Sequence, residues 1–95
     1  MKEATKQYYV YILLCADATL YTGYTDNVEK RIAAHAAGKG AKYTRGRGPF
    51  ILVHEEMFFT KREALQRERE IKSWNRQRKK MLIDQNRGGR HETTT

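Results

Sequence analysis

The chain has 95 residues, with 19 Lys and Arg against 11 Asp and Glu, a net charge of +8 and 39% hydrophobic content. Its longest uninterrupted apolar run, Tyr8 to Ala16, is far short of the roughly 18–20 residues a membrane-spanning helix needs, which excludes a transmembrane segment. A single cysteine, Cys15, can neither staple the chain nor build a thiolate metal site, so the fold must rest on one small core.

The charged start, Met1 to Lys6, lacks the apolar region and cleavage site of a signal peptide, so a cytoplasmic address is expected. Tyr8 to Cys15 is dense in aromatic and branched residues, and Leu20 to Thr25 resembles it across a short connection, which predicts a β-hairpin. The connection has no glycine, so a longer loop seeded by Asp17 is favoured over a two-residue turn. Asp26 or Asn27 then offers an N-cap to a helix over about Val28–Ala37, with Val28, Ile32 and Ala36 at four-residue spacing and Gly38 at its end.

Lys39 to Pro49 reads as a basic loop whose glycines at 40, 46 and 48 allow the backbone close to a ligand. Phe50 to Phe59 reads as a third strand. Thr60 and Glu63 fit a capping box, in which the Thr hydroxyl and the Glu carboxylate each satisfy a backbone N–H, opening a second helix. Ser73 or Asn75 can cap a third helix carrying Arg76, Arg78, Lys79 and Lys80. The order β-β-α-β-α-α predicts an α+β domain over residues 6–83, a small three-stranded antiparallel sheet flanked by helices. Residues 84–95, with paired glycines and three threonines, read as a disordered tail.

The positive charge is unevenly placed. Residues 1–38 hold four basic and four acidic side chains, so the excess lies wholly beyond Gly38. It is concentrated in the loop bearing Lys39, Lys42, Arg45 and Arg47 and in the stretch Arg67 to Lys80. Such blocks suit a polyanion, because each phosphate contact releases condensed counterions; a solvated basic face is the ordinary alternative.

Three sets of polar residues stand in apolar company. Glu68 falls within the arc of Ala64, Leu65 and Ile71 on the second helix, so it needs an Arg partner, a metal ion or a cleft at the core edge. Arg31 and His35 share one side of the first helix beside Val28 and Ile32, where a hydrogen-bonded core histidine and a snorkelling arginine are the usual occupants. Five of the six tyrosines, Tyr8, Tyr9, Tyr11, Tyr21 and Tyr24, sit on the hairpin, where strand aromatics are normally core. Which of them point together depends on register.

Tyr9-Val10-Tyr11, then Tyr21-Thr22-Gly23, then Arg31, His35 and Glu68 together resemble the GIY-YIG nuclease domain, and Lys39-Gly40-Ala41-Lys42-Tyr43-Thr44 resembles the small stand-alone members of that family. Tyr9, Val10 and Thr22 depart from the family triplets, and none of these changes removes a proposed catalytic side chain. The resemblance spans about residues 6–83 and implies cleavage of DNA phosphodiesters with one divalent cation, Mg²⁺ or Mn²⁺, on Glu68. It further implies that Tyr21 is general base, with Tyr11 able to orient the water or exchange that role. Arg31 would balance phosphoryl charge, His35 would accept a proton, and Gly23 would keep a side chain from crowding the substrate. Lys39, Lys42, Arg45, Arg47, Lys72 and Arg76 become expected phosphate contacts, with DNA favoured over RNA. The implied activity is an endonuclease selective for structure or low in sequence specificity, in repair or recombination. Family nucleases commonly carry a further domain that selects substrate, which leaves room for a second reading: a nucleic-acid-binding module without turnover, acting with a protein partner.

Overall fold

The computed structural model describes residues 6–94, with side chains up to residue 85. The elements are β1 (Tyr8–Leu14), β2 (Leu20–Thr25), α1 (Val28–Ala36), a short 3₁₀ turn at Lys42–Thr44, β3 (Ile51–Phe58), α2 (Lys61–Lys72) and α3 (Arg76–Thr94). The element order is the one expected, β-β-α-β-α-α. The tail expected over 84–95 falls, from residue 86 onward, outside the residues whose side chains are described.

The sheet is antiparallel in the order β2-β1-β3, so the most apolar strand lies in the middle. Val10, Ile12, Ala64, Ile71 and Ile83 form the core, with Tyr8, Leu20, Tyr24, Phe58 and Trp74 packed against it. Val10 and Ile12 alternate with Tyr11 and Leu13 along β1, so one face of the strand meets α2 and α3 while the other is left for tyrosine. Fully burying each aliphatic core side chain stabilises by roughly 1.5–3 kcal/mol. The β1–β3 register shifts between Ile12 and Leu13, where Ile12 pairs with His54 and Leu13 with Leu52, so Val53 is the extra residue of a bulge.

Local signals account for the element boundaries. Asp17 Oδ1 accepts from the Thr19 N–H at 3.2 Å and the Thr19 hydroxyl at 2.6 Å, and Ala18 takes φ +71, which makes the hairpin loop the longer, Asp-seeded kind. Asn27 Oδ1 caps α1 through the Lys30 N–H at 3.0 Å, and Gly38 at φ +78 ends it. Thr60 Oγ1 accepts from the Glu63 N–H at 3.2 Å, but the reciprocal half of the capping box is different. The Glu63 carboxylate takes the Thr60 hydroxyl at 2.9 Å rather than a backbone N–H, fixing the rotamer of the cap. Of the two candidates for α3, Asn75 is the cap, accepting from the Arg78 N–H at 2.9 Å.

A polar clamp holds β3 to α2. Arg67 Nε and Nη2 reach the two oxygens of Glu56 at 2.9 and 3.1 Å, while His54 Nε2 lies 2.7 Å from Glu56 Oε2. Burial pushes the Glu56 carboxyl up, but hydrogen bonds from His54 and Arg67 outweigh it and bring the pKa down to about 2. Arg67 and Arg78 also lie over the Trp74 ring, at 5.1 and 4.2 Å from its centroid, tying α2 to α3.

Candidate active site

Register settles which tyrosines meet. Tyr11 pairs with Gly23 and Leu13 with Tyr21, so Tyr11 and Tyr21 emerge on the same face of the hairpin, with ring centroids 6.3 Å apart. His35 of α1 closes the cluster: its ring lies 6.0 Å from Tyr11 and 5.3 Å from Tyr21, in edge geometry. Tyr11 and His35 are 1% and 2% exposed. Burial at that level demands partners for their polar atoms, and both have them. The Tyr11 hydroxyl lies 2.9 Å from His35 Nε2, and His35 Nδ1 lies 2.8 Å from Thr44 Oγ1.

The electrostatics of the cluster are set by burial and by Arg31. Burial, with the nearby charges of Tyr21 and Glu68, outweighs the opposing pull of Arg31 and raises the Tyr11 phenol to about 12. Burial and the positive charge of Arg31 lower the His35 pKa below its ordinary value. The Arg31 guanidinium is held in its charged form chiefly by the Tyr11 hydroxyl and further by Tyr21. The resting pair is therefore a neutral phenol against a neutral imidazole, beside a fixed cation.

Glu68, on α2, lies close enough for its charge to act on the Tyr11 phenol. Its side chain is 16% exposed, and its partner is Lys72, 3.2 Å away at i+4, rather than an arginine. Among the described residues no group of three His, Cys, Asp or Glu side chains could cage a metal. One hard carboxylate fits only a cation that keeps several waters, which is the habit of Mg²⁺ and Mn²⁺ rather than of Zn²⁺. The donor set thus fits a hydrated divalent ion on Glu68, with Lys72 supplying the positive charge otherwise.

The expected phosphate contacts divide into two groups. Lys39, Lys42, Arg45 and Arg76 are exposed. Arg47 is engaged within the protein: its guanidinium pairs with Asp17, its Nε donates to the Tyr43 carbonyl at 2.6 Å, and it lies 4.6 Å over the Tyr43 ring. Tyr43 in turn stacks on Tyr21 at 5.8 Å. Lys72 is engaged with Glu68 as described.

Two glycines make room for side chains of the cluster. A Cβ on Gly23 would stand 2.5 Å from the Tyr11 hydroxyl and 3.0 Å from the Tyr21 ring, so the residue makes room for the tyrosines. A Cβ on Gly40 would stand 2.2 Å from His35 Nδ1, so this loop glycine lies flat against the histidine. Residue-by-residue reading missed Thr44, which is 1% exposed. The only signal for it is its place in the Lys39–Thr44 segment.

The hairpin tyrosines, the Arg and His one turn apart on α1 and the Glu on α2 thus stand together on a three-stranded α+β scaffold. The model of the GIY-YIG catalytic domain matches residues 7–81, and the chain belongs to that family. It is 63% identical over 76 residues to a UPF0213 protein of Natronomonas pharaonis, covering 80% of this chain and 89% of the relative. The solution NMR structure of a UPF0213 protein from Bacillus halodurans superposes with a TM-score of 0.58 at 53% identity, covering 94% of both chains. A solution NMR structure from E. faecalis superposes with a TM-score of 0.61 at 39% identity, covering 90% of this chain and 92% of the other. Among the described residues no helix is long and apolar enough to cross a membrane.

Proposed function

We propose that this protein is a divalent-metal-dependent endonuclease that hydrolyses DNA phosphodiester bonds, selecting by structure or with low sequence specificity, in cytoplasmic repair or recombination. The observation that carries the reading is the buried Tyr11 hydroxyl, 2.9 Å from His35 Nε2 and beside the Arg31 guanidinium. Membership of a catalytic-domain family and the basic loop support it.

A phenol raised to about 12 cannot act as a standing phenolate at neutral pH, so proton removal must be concerted. Tyr11 takes a proton from the attacking water while its own proton passes to His35 Nε2. The water oxygen forms its bond to phosphorus, and the bridging P–O bond breaks, its electron pair leaving with the ester oxygen. Of the two phenols, Tyr11 has the proton acceptor at hand, so the base role falls to Tyr11 and water orientation to the more exposed Tyr21. Arg31 neutralises charge on the non-bridging oxygens and on Tyr11 oxygen as it gives up its proton. A divalent cation on Glu68 would supply charge neutralisation at the leaving oxygen. Lys39, Lys42, Arg45 and Arg76 hold flanking phosphates.

The test is a cleavage panel of branched, single-stranded and duplex DNA, with matched RNA, in Mg²⁺ or Mn²⁺. Cleavage should require the metal and disappear in Glu68→Ala and Tyr11→Phe. Activity surviving both substitutions overturns the proposal. Salt-sensitive binding without any cleavage supports instead a binding module that works with a protein partner.

A further inference from the structure

The hydrogen bonds around His35 have a direction that the chemistry of their last acceptor forces. Thr44 Oγ1 lies 2.8 Å from the Ala41 carbonyl oxygen. A carbonyl only accepts, so the single hydroxyl proton of Thr44 must lie in that contact. The same oxygen lies 2.8 Å from His35 Nδ1 and, its proton being committed, can only accept there. Nδ1 must therefore carry a proton. In a neutral imidazole that leaves a lone pair on Nε2, facing the Tyr11 hydroxyl at 2.9 Å. The chain runs one way, from Tyr11 O–H through His35 and Thr44 to Ala41.

The geometry points to Thr44 as a positioning residue that fixes the tautomer of His35, so that Nε2 is kept open to receive the Tyr11 proton. Without it the imidazole can place its proton on Nε2 and face the phenol as a donor, in which state it accepts nothing. The device is built from the loop: the 3₁₀ turn at Lys42–Thr44 aims the hydroxyl back at Ala41, while Gly40 lets the same segment lie against the ring. Among the described residues the groups facing His35 are Tyr11 from β1, Tyr21 from β2, Arg31 from its own helix, Thr44 from the loop and the Phe50 ring at 5.8 Å. None is a carboxylate that could hold the Nδ1 proton in place of Thr44.

The catalytic consequence rests on the proposed nuclease reading, whereas the tautomer does not, so the two are tested apart. Nitrogen-15 NMR of His35 at a pH where the ring is neutral should show a protonated Nδ1 and an unprotonated Nε2 in the wild type. Thr44→Ser, which keeps the hydroxyl, should preserve that pattern. Thr44→Val should shift population toward the Nε2–H form. A wild type protonated on Nε2, or a folded Thr44→Val variant with an unchanged pattern, overturns the inference. If Thr44→Val fails to fold, the wild-type and Thr44→Ser spectra decide. In cleavage assays Thr44→Val should lower kcat by about tenfold or more with KM little changed, and Thr44→Ser should restore it. A correct wild-type pattern in a protein that cleaves nothing would overturn the nuclease reading alone.

Discussion

The Tyr11 side chain lies across Gly23 on the neighbouring strand, in the space a Cβ at position 23 would occupy, 2.5 Å from the phenol oxygen. The two residues are register partners, so the absent side chain on β2 sets where the phenol on β1 can go. Its hydroxyl thereby meets His35, and the position of that hydroxyl depends on a glycine of the neighbouring strand.

Gly23→Ala should therefore displace Tyr11 rather than merely tighten the packing. Overpacking a buried site of this kind costs about 1–3 kcal/mol, read by thermal or chemical denaturation. Cleavage should fall by at least about tenfold, because a reacting group moved by about an ångström loses far more than stability alone. An active, equally stable variant would show that the Tyr11 position is adjustable.

Glu56 gives the fold an acid-sensitive element away from the site. Its pKa is depressed in the folded state to about 2, so its stabilising contribution is fully present above the unfolded carboxylate value and is lost as pH falls through about 2. Glu56→Gln should destabilise by about 1–3 kcal/mol at neutral pH, since it weakens the hold on Arg67 and His54. The gap from the wild type should narrow on titrating toward pH 2, as measured by urea denaturation at several pH values. A gap that stays constant would exclude the clamp as its source.

His35 runs in the same direction for a different reason. Its folded pKa is lowered, so the folded state binds fewer protons than the unfolded chain between the lowered value and the ordinary histidine value. Stability should rise with pH across that window and fall as acid forces a proton onto the buried ring. His35→Gln should flatten this part of the pH–stability curve, and an unchanged slope would assign it to another group.

The exposed cations of the loop make a separate, quantitative expectation. If Lys39, Lys42 and Arg45 each neutralise a phosphate, replacing all three by Ala should reduce the slope of log affinity against log salt by about 2–3 on duplex DNA. Arg47→Ala should instead act through the fold, since its side chain is held by Asp17 and Tyr43. Equal effects of Arg47→Ala and of the exposed-cation changes on the salt slope would contradict that division.

The order of elements is legible along the chain, because each is announced by local physics. Branched and aromatic runs make the hairpin, Asn27 and Thr60 cap helices through their own side chains, and Asp17 seeds the loop within two residues of itself. The sequence also marked Glu68, Arg31 and His35 as polar residues on apolar faces, since helical periodicity is a property of spacing alone. How those residues are joined is a matter of three-dimensional folding. Register chose Tyr11 to lie over Gly23, and one residue of slip would have turned it to the opposite face. The engagement of Arg47 by Asp17 spans thirty positions of chain, and the bond from His35 to Thr44 joins a helix to a loop. Such contacts leave no periodic trace, because the chain between them can take many paths until the sheet and core have fixed one.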